Sequence, residues 1–325
     1  MNRLVISRLL ALFVGLACIV LAYNHNKSST YQVSGPIYGT YWKLVSTEYI
    51  SDTLKQSIQS ELDRIDLIAS NYKVTSELSA INRLAIDTEL SISSEMASIL
   101  SYAEELYVLT NGYYDVTLGS LVIDAGFGPK STVIINPLSI SINRFDLKND
   151  NTLIKNDNFQ FDLSSIAKGY AVDAISNLMI NANKKNYLID IGGEIIGSGT
   201  KHGSPWAIGI QDPTSLNNSA ILEILSSDFI AVATSGEYRN FRLSESGLKV
   251  THTINPMTQK SIQNKVLSVT VISDESSMIA DAWATAMNVL GPDAGIVLAN
   301  KQDIAVMYIM QGNERNFIKS DAWKF

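Results

Sequence analysis

Asp281 and Thr285 lie four residues apart in the run Ile279-Ala280-Asp281-Ala282-Trp283-Ala284-Thr285. On a helix, that spacing stacks the two side chains one above the other. Alanines at 280, 282, 284 and 286 keep the surrounding surface low, so another element can approach closely. Oxygen donors with no His or Cys nearby suit a hard cation such as Mg2+. Ser165, at the expected start of another helix, can add a hydroxyl, and a helix N-terminus favours an anion. A cation and a helix start together can hold a pyrophosphate in an acidic chain that lacks a basic cluster.

Further glycine- and polar-rich segments interrupt the periodic pattern. They are Tyr38-Gly39-Thr40-Tyr41-Trp42, then Gly112-Tyr113-Tyr114-Asp115-Val116-Thr117-Leu118-Gly119 with Gly126-Phe127-Gly128-Pro129. Next come Asp162-Leu163-Ser164-Ser165-Ile166-Ala167-Lys168-Gly169, Asp190-Ile191-Gly192-Gly193-Glu194, and Thr251-His252-Thr253-Ile254-Asn255-Pro256. Singly, each has a plainer explanation. Gly192-Gly193 after a strand is more often a tight turn than a ligand loop. Asp162 to Ser165 before a helix reads as a cap, and an isolated Asp-x-x-x-Thr reads as a solvated helix face. The residues alone therefore support a small-molecule site whose type stays open.

Composition narrows the classes. With 25 Lys and Arg against 32 Asp and Glu, the net charge is −7, and no dense basic run occurs. A nucleic-acid partner is disfavoured, because phosphate backbones need clustered cations. Hydrophobic residues at 46% and charged residues at 18% describe an ordinary globular chain. The lone cysteine, Cys18, excludes a disulfide framework. Three histidines, His25, His202 and His252, argue against a multi-histidine zinc site.

Residues 1–23 read as an export signal or an N-terminal membrane anchor. Arg3 and Arg8 precede an apolar run from Leu9 to Ala22, and Asn24-His25-Asn26-Lys27 follow. Gly15-Leu16-Ala17 before Cys18 resembles a lipoprotein cleavage site, with an uncleaved anchor helix as the alternative. Either places the rest of the chain outside the cytoplasm. Residues 24–35 read as a polar tether and 36–325 as the folded domain.

Within that domain, the segment Ile37 to Tyr49 reads as a strand. Leu54, Ile58, Leu62, Ile65 and Ile68 recur at helical spacing from Thr53 on. Further helices fit Ser94 to Thr110, stopped by Asn111-Gly112, Ser165 to Asn181, and Ser276 to Leu290. Residues 129–160 read as short strands and turns without chemistry. Strands fit Tyr187–Ile191, Trp206–Ile210, Phe229–Thr234, Val266–Ile272 and Ile304–Ile309. Helices and strands mix without regular alternation, which predicts an α+β fold.

Taken together and in this order, from Tyr38 to about Gly291, the segments resemble the ApbE family, the FAD:protein FMN transferases. The resemblance implies a single, T-fold-like α+β domain with mixed or antiparallel sheets and flanking helices. It also implies an FAD pocket formed by Tyr38, Gly39, Thr40, Tyr72, Tyr113, Tyr114, Asp115, Asp162 and Lys168, with Thr253 and Ile254 beside it. The implied Mg2+ ligands are Ser165, Asp281 and Thr285, with the Ala167 carbonyl as a further candidate, and His252 is the implied catalytic residue. Two positions depart from the family pattern. Tyr38 replaces a usual Met, and an aromatic there can stack on a flavin or adenine ring. Ala284 stands where relatives can carry Asp, which leaves Asp281 as the main charged ligand.

The implied reaction moves FMN from FAD to a Thr or Ser hydroxyl of a target protein and releases AMP, with His252 taking the hydroxyl proton. The implied acceptors are flavin-carrying subunits of membrane redox complexes, such as the sodium-pumping NADH:quinone reductase or Rnf-type complexes. That implies a periplasmic enzyme tethered to the bacterial inner membrane. Two alternatives use the same pocket: a metal-dependent FAD pyrophosphatase with water as acceptor, and a flavin-binding lipoprotein without chemistry. A sugar- or peptide-binding lipoprotein is a third, which leaves the Asp281 and Thr285 pair unexplained.

Overall fold

The computed structural model describes residues 12–18, 29–129, 144–215, 221–236, 241–243, 249–312 and 316–325. An eight-stranded antiparallel sheet runs in the spatial order Tyr31–Ile37, Thr40–Ser46, Tyr187–Ile191, Glu194–Ser198, Phe229–Ser235, Val266–Ser273, Ala305–Met310 and Asn316–Lys319. Helices cover one face. On the other lies the hairpin Ala207–Gln211 with Ile221–Ser226, whose Ile208, Ile210 and Leu225 pack on Ile230, Val232, Met307 and Ile309. This is the α+β architecture of antiparallel sheets and flanking helices expected from the sequence.

The first two strands correct the reading of the N-terminal region. Tyr31–Ile37 and Thr40–Ser46 form a hairpin, turned by Tyr38 at φ 50 and Gly39 at φ 75. The expected single strand from Ile37 is therefore two, and residues 31–35, assigned to the tether, pair with Lys43–Ser46 and Trp42. Outward polar residues in an edge strand read as a linker; backbone pairing overrides that reading. Most of the N-terminal leader, residues 1–11 and 19–28, lies outside the described residues, and so do 130–143 of the polar stretch.

The helices form where capping and periodicity agree. Ser51 accepts the Leu54 N–H at 3.2 Å and starts Asp52–Ala69, which buries Ile58, Leu62, Ile65 and Ile68. Ser93 does the same for Ser94–Leu109. Asn111 and Gly112, both with positive φ, end that helix, and the Gly112 N–H returns to the Tyr107 carbonyl at 2.8 Å. The helix expected from Ser276 to Leu290 runs as Ser277–Lys301, broken at Gly291 (φ 72) before Pro292. The carbonyl that Pro292 leaves without a helical donor, that of Asn288, accepts from Asn264 Nδ2 at 2.9 Å, and the Tyr308 hydroxyl lies 2.8 and 3.1 Å from the carbonyls of Met287 and Gly291.

Two helices decide the position of everything that follows. Ala167–Asn181 begins two residues after the expected Ser165, and its N-cap, Ile166, offers no side-chain oxygen. The cap comes from another helix instead: Asp281 Oδ2 accepts the Gly169 N–H at 3.0 Å. In return Asp173 accepts the N–H groups of Ser277 and Met278 at 2.8 and 2.9 Å and the Ser276 hydroxyl at 2.6 Å. Each helix thus satisfies orphan donors of the other. The crossing is possible because residue 169 has no side chain: a Cβ there would collide with the Ser277 carbonyl and sit 2.7 Å from Met278 Cα.

Backbone cannot move aside as a flexible side-chain tip can, so Gly169→Ala is expected to destabilise the protein by about 1–3 kcal/mol. Thermal denaturation with and without the substitution measures it.

Candidate functional site

Strand alternation sets the site's floor. On Glu194–Ser198, Ile196 faces the helices and Ile195 the opposite hairpin. Glu194, two residues before Ile196, therefore points to the helix side. There its Oε1 accepts from Lys168 Nζ at 2.7 Å. The same ammonium lies 3.8 Å from Asp281 Oδ1. Glu194 and Asp281 are 4% and 5% exposed, so one cation is shared between two carboxylates that have left water. Glu194 Oε2 is buried with no hydrogen-bond partner among the described residues.

These groups line a cavity of about 290 Å³ together with Ser165, Thr285, His252 and Tyr114. Ser165 lies in the turn before the helix, and its hydroxyl is 3.0 Å from that of Tyr114. Tyr113, Asp115, Asp162, Thr253 and Ile254 also line it. A second cavity of about 810 Å³ shares Asp162, Ser164, Val122 and His252 with the first. It adds Tyr38, Tyr72, Phe127 and Arg242. Arg242 lies 5.3 Å over the Phe127 ring, and His252 meets that ring edge-on at 5.9 Å. Tyr72 donates to the Phe127 carbonyl at 2.9 Å and Tyr38 to the Leu62 carbonyl at 2.9 Å. The cleft therefore has a polar, charged end and an aromatic end, with His252 where they meet. Its size matches small-molecule sites.

Two sequence-derived candidates sit apart. Thr40 lines a separate cavity of about 380 Å³, joined to the first through Gly192 and Thr234. Gly39 lines none of these cavities; it serves the hairpin turn. Asp115 reaches the cleft, but its carboxylate accepts the Thr117 N–H and hydroxyl at 2.8 and 2.6 Å and pairs with Arg144 at 3.2 Å. Arg144 also contacts the Thr117 hydroxyl. Residues 129–160, read as free of chemistry, thus supply the buried cation that fixes this loop. Asp162 is held by Asn71 at 3.0 Å and the Ser164 N–H at 2.8 Å. Asn71, Arg144 and Asp173 carry no local motif; Glu194 was visible after Gly192-Gly193 but without a partner in sequence.

The described residues contain no group of three His, Cys, Asp or Glu able to hold a metal. One carboxylate and two hydroxyls, Asp281, Ser165 and Thr285, instead fit a hard cation whose shell is completed by water and a ligand's phosphates.

A scan of protein families matches the ApbE family over residues 38–308. The chain belongs to the ApbE family. The FAD:protein FMN transferase of Vibrio cholerae is 34% identical over 316 residues, covering 93% of this chain and 94% of that one. That of Haemophilus influenzae is 32% identical, covering 98% and 96%. The solved structure of the flavin transferase ApbE from Vibrio cholerae superposes with a TM-score of 0.80 at 31% identity, covering 91% of this chain and 98% of that one.

Burial raises the Glu194 carboxyl from 4.5 to about 7, against the lowering effect of Lys168 and with a further push from Asp281. Burial likewise raises Asp281, opposed by Lys168. Lys168 runs the other way: burial alone would lower it, but the charges of Asp281 and Glu194 hold it above its ordinary value. A carboxyl with a raised folded-state pKa binds its proton more tightly folded than unfolded. Its contribution to stability is complete below pH 4.5 and lost as pH rises through about 7. The unliganded protein is therefore expected to lose stability over that window, and Glu194→Gln to flatten the slope, as read by urea titrations at several pH values.

Proposed function

We infer that the protein is an FAD:protein FMN transferase that moves FMN from FAD to a Thr or Ser hydroxyl of a target protein, forming a phosphoester and releasing AMP. The observation that carries this reading is the two-ended cleft in an ApbE-family chain. Oxygen donors and Lys168 gather at one end, aromatic rings at the other, and His252 lies between them.

Each residue's part follows from its place. Tyr38, Tyr72 and Phe127 offer ring faces and edges to the planar groups of FAD. Lys168, 30% exposed at its side chain, offers an ammonium to the pyrophosphate. Ser165, Asp281 and Thr285 would hold Mg2+, which supplies charge neutralisation and polarises the phosphorus under attack. His252 accepts the proton of the acceptor hydroxyl as the new P–O bond forms and the bond to AMP breaks. Its Nδ1 is buried without a hydrogen-bond partner among the described residues.

The acceptors in this reading are flavin-carrying subunits of membrane redox complexes, such as the sodium-pumping NADH:quinone reductase or Rnf-type complexes. The basic, apolar and polar order of residues 1–27 supports a tether to the inner membrane on its periplasmic face, through a lipidated Cys18 or an N-terminal anchor. No helix among the described residues is long and apolar enough to cross a membrane, and most of the leader lies outside them.

Incubation with FAD, Mg2+ and an acceptor domain is expected to raise the acceptor's intact mass by one FMN phosphoester. His252→Ala is expected to slow this roughly 10²–10⁴-fold while FAD still binds, and Asp281→Ala to abolish it. FAD consumed and AMP released without a mass gain would instead identify a pyrophosphatase.

A further inference from the structure

Glu194 is a buried carboxylate at the polar end of the cleft that the reaction as described leaves unused. It is 4% exposed, its Oε1 binds Lys168 at 2.7 Å, and its Oε2 is unpartnered among the described residues. The other carboxylate near this ammonium is Asp281, at 3.8 Å. Asp281 Oδ2 already serves the Gly169 N–H, so Oδ1 is the oxygen left for a cation. Lys168 and a divalent cation therefore compete for the same atom. The structure shows the ammonium in direct contact with Glu194 and just short of direct contact with Asp281.

We propose that Glu194 is a positioning residue: it holds the Lys168 ammonium off Asp281 Oδ1 and so keeps that oxygen open to the divalent cation. Without the Glu194 charge, Lys168 has one anionic neighbour left and closes on Asp281 as an internal substitute for the metal. The geometry favours this over a simple structural ion pair. A stabilising pair would need one carboxylate, whereas the fold buries two around one cation, at unequal distances, and leaves an oxygen of the nearer one unbonded. A buried acceptor without a partner costs stability, and here it belongs to a residue that lines the reaction cavity. The proposal rests on Asp281 being a cation ligand.

The test is Mn2+ affinity of the unliganded protein, read by electron paramagnetic resonance, across a double-mutant cycle. Glu194→Gln is expected to weaken Mn2+ binding roughly tenfold or more, and Lys168→Met to tighten it far more in the Glu194→Gln background than in the wild type. The double variant is expected to return to about the wild-type affinity, a strongly non-additive result. Additive effects, with Lys168→Met tightening Mn2+ equally in both backgrounds, would show that the two residues act only through the general field and would overturn the proposal. A crystal structure of Glu194→Gln gives an independent readout. Lys168 Nζ is expected to close from 3.8 Å to direct contact with Asp281 Oδ1; an unchanged separation overturns the proposal. Asp281→Asn separates the two levels: if it leaves Mn2+ binding intact, the cation assignment itself fails.

Discussion

The contact between Gly169 and the start of the Asp281 helix is the constraint on which the site depends. Only a residue without a Cβ lets the Ser277 carbonyl come so close. That approach brings Asp281 to the first turn of the neighbouring helix, where it caps the Gly169 N–H, and brings Asp173 to the N–H groups of Ser277 and Met278. Asp281 is thereby anchored by one oxygen, while the other lies 3.8 Å from the Lys168 ammonium. A carboxylate buried only to bind a cation would be costly to the empty protein. Giving one oxygen to a helix terminus offsets part of that cost and fixes the side chain before any ligand arrives, which is the preorganisation that phosphoryl chemistry relies on.

Electrostatics complete the arrangement. One ammonium, Lys168, stands among two buried carboxylates, and the low-dielectric surroundings push both acids upward while their charges hold the lysine protonated. Lys168 is the one Lys or Arg lining this cavity among the described residues, in a chain of net charge −7. At the same end, the Arg144 pair with Asp115 ties down the loop carrying Tyr113 and Tyr114, so this wall of the cleft is held from behind by a cation that is not among the residues lining it.

Local signals in the sequence accounted for much of this. The four-residue spacing of Asp281 and Thr285, the alanines around them and the polar turn at Ser165 located the charged end. Regular apolar spacing located the starts of the long helices within two residues, but not the continuation of the last one past Pro292 to Lys301. What stayed hidden depends on contacts between distant residues. Asp173 meets Ser277 across 104 positions and Lys168 meets Glu194 across 26, and no local pattern announces either partner. The expectation that Asp162 to Ser165 cap this helix failed because the N-cap is Ile166 and a cap is supplied from another helix. The Tyr31–Ile37 strand was missed because its outward side chains are polar and its stability comes from backbone pairing with Thr40–Ser46. Thr40, read as part of the main pocket, is carried by that hairpin into the adjoining cavity.

The most direct measurement is anomalous diffraction from crystals of the protein soaked with Mn2+ and FAD. The account predicts a Mn2+ peak in contact with Asp281 Oδ1 and the hydroxyls of Ser165 and Thr285, with the FAD pyrophosphate beside it and the rings toward Tyr72 and Phe127. A peak bound elsewhere, or FAD seated outside the cleft where His252 lies, would contradict it.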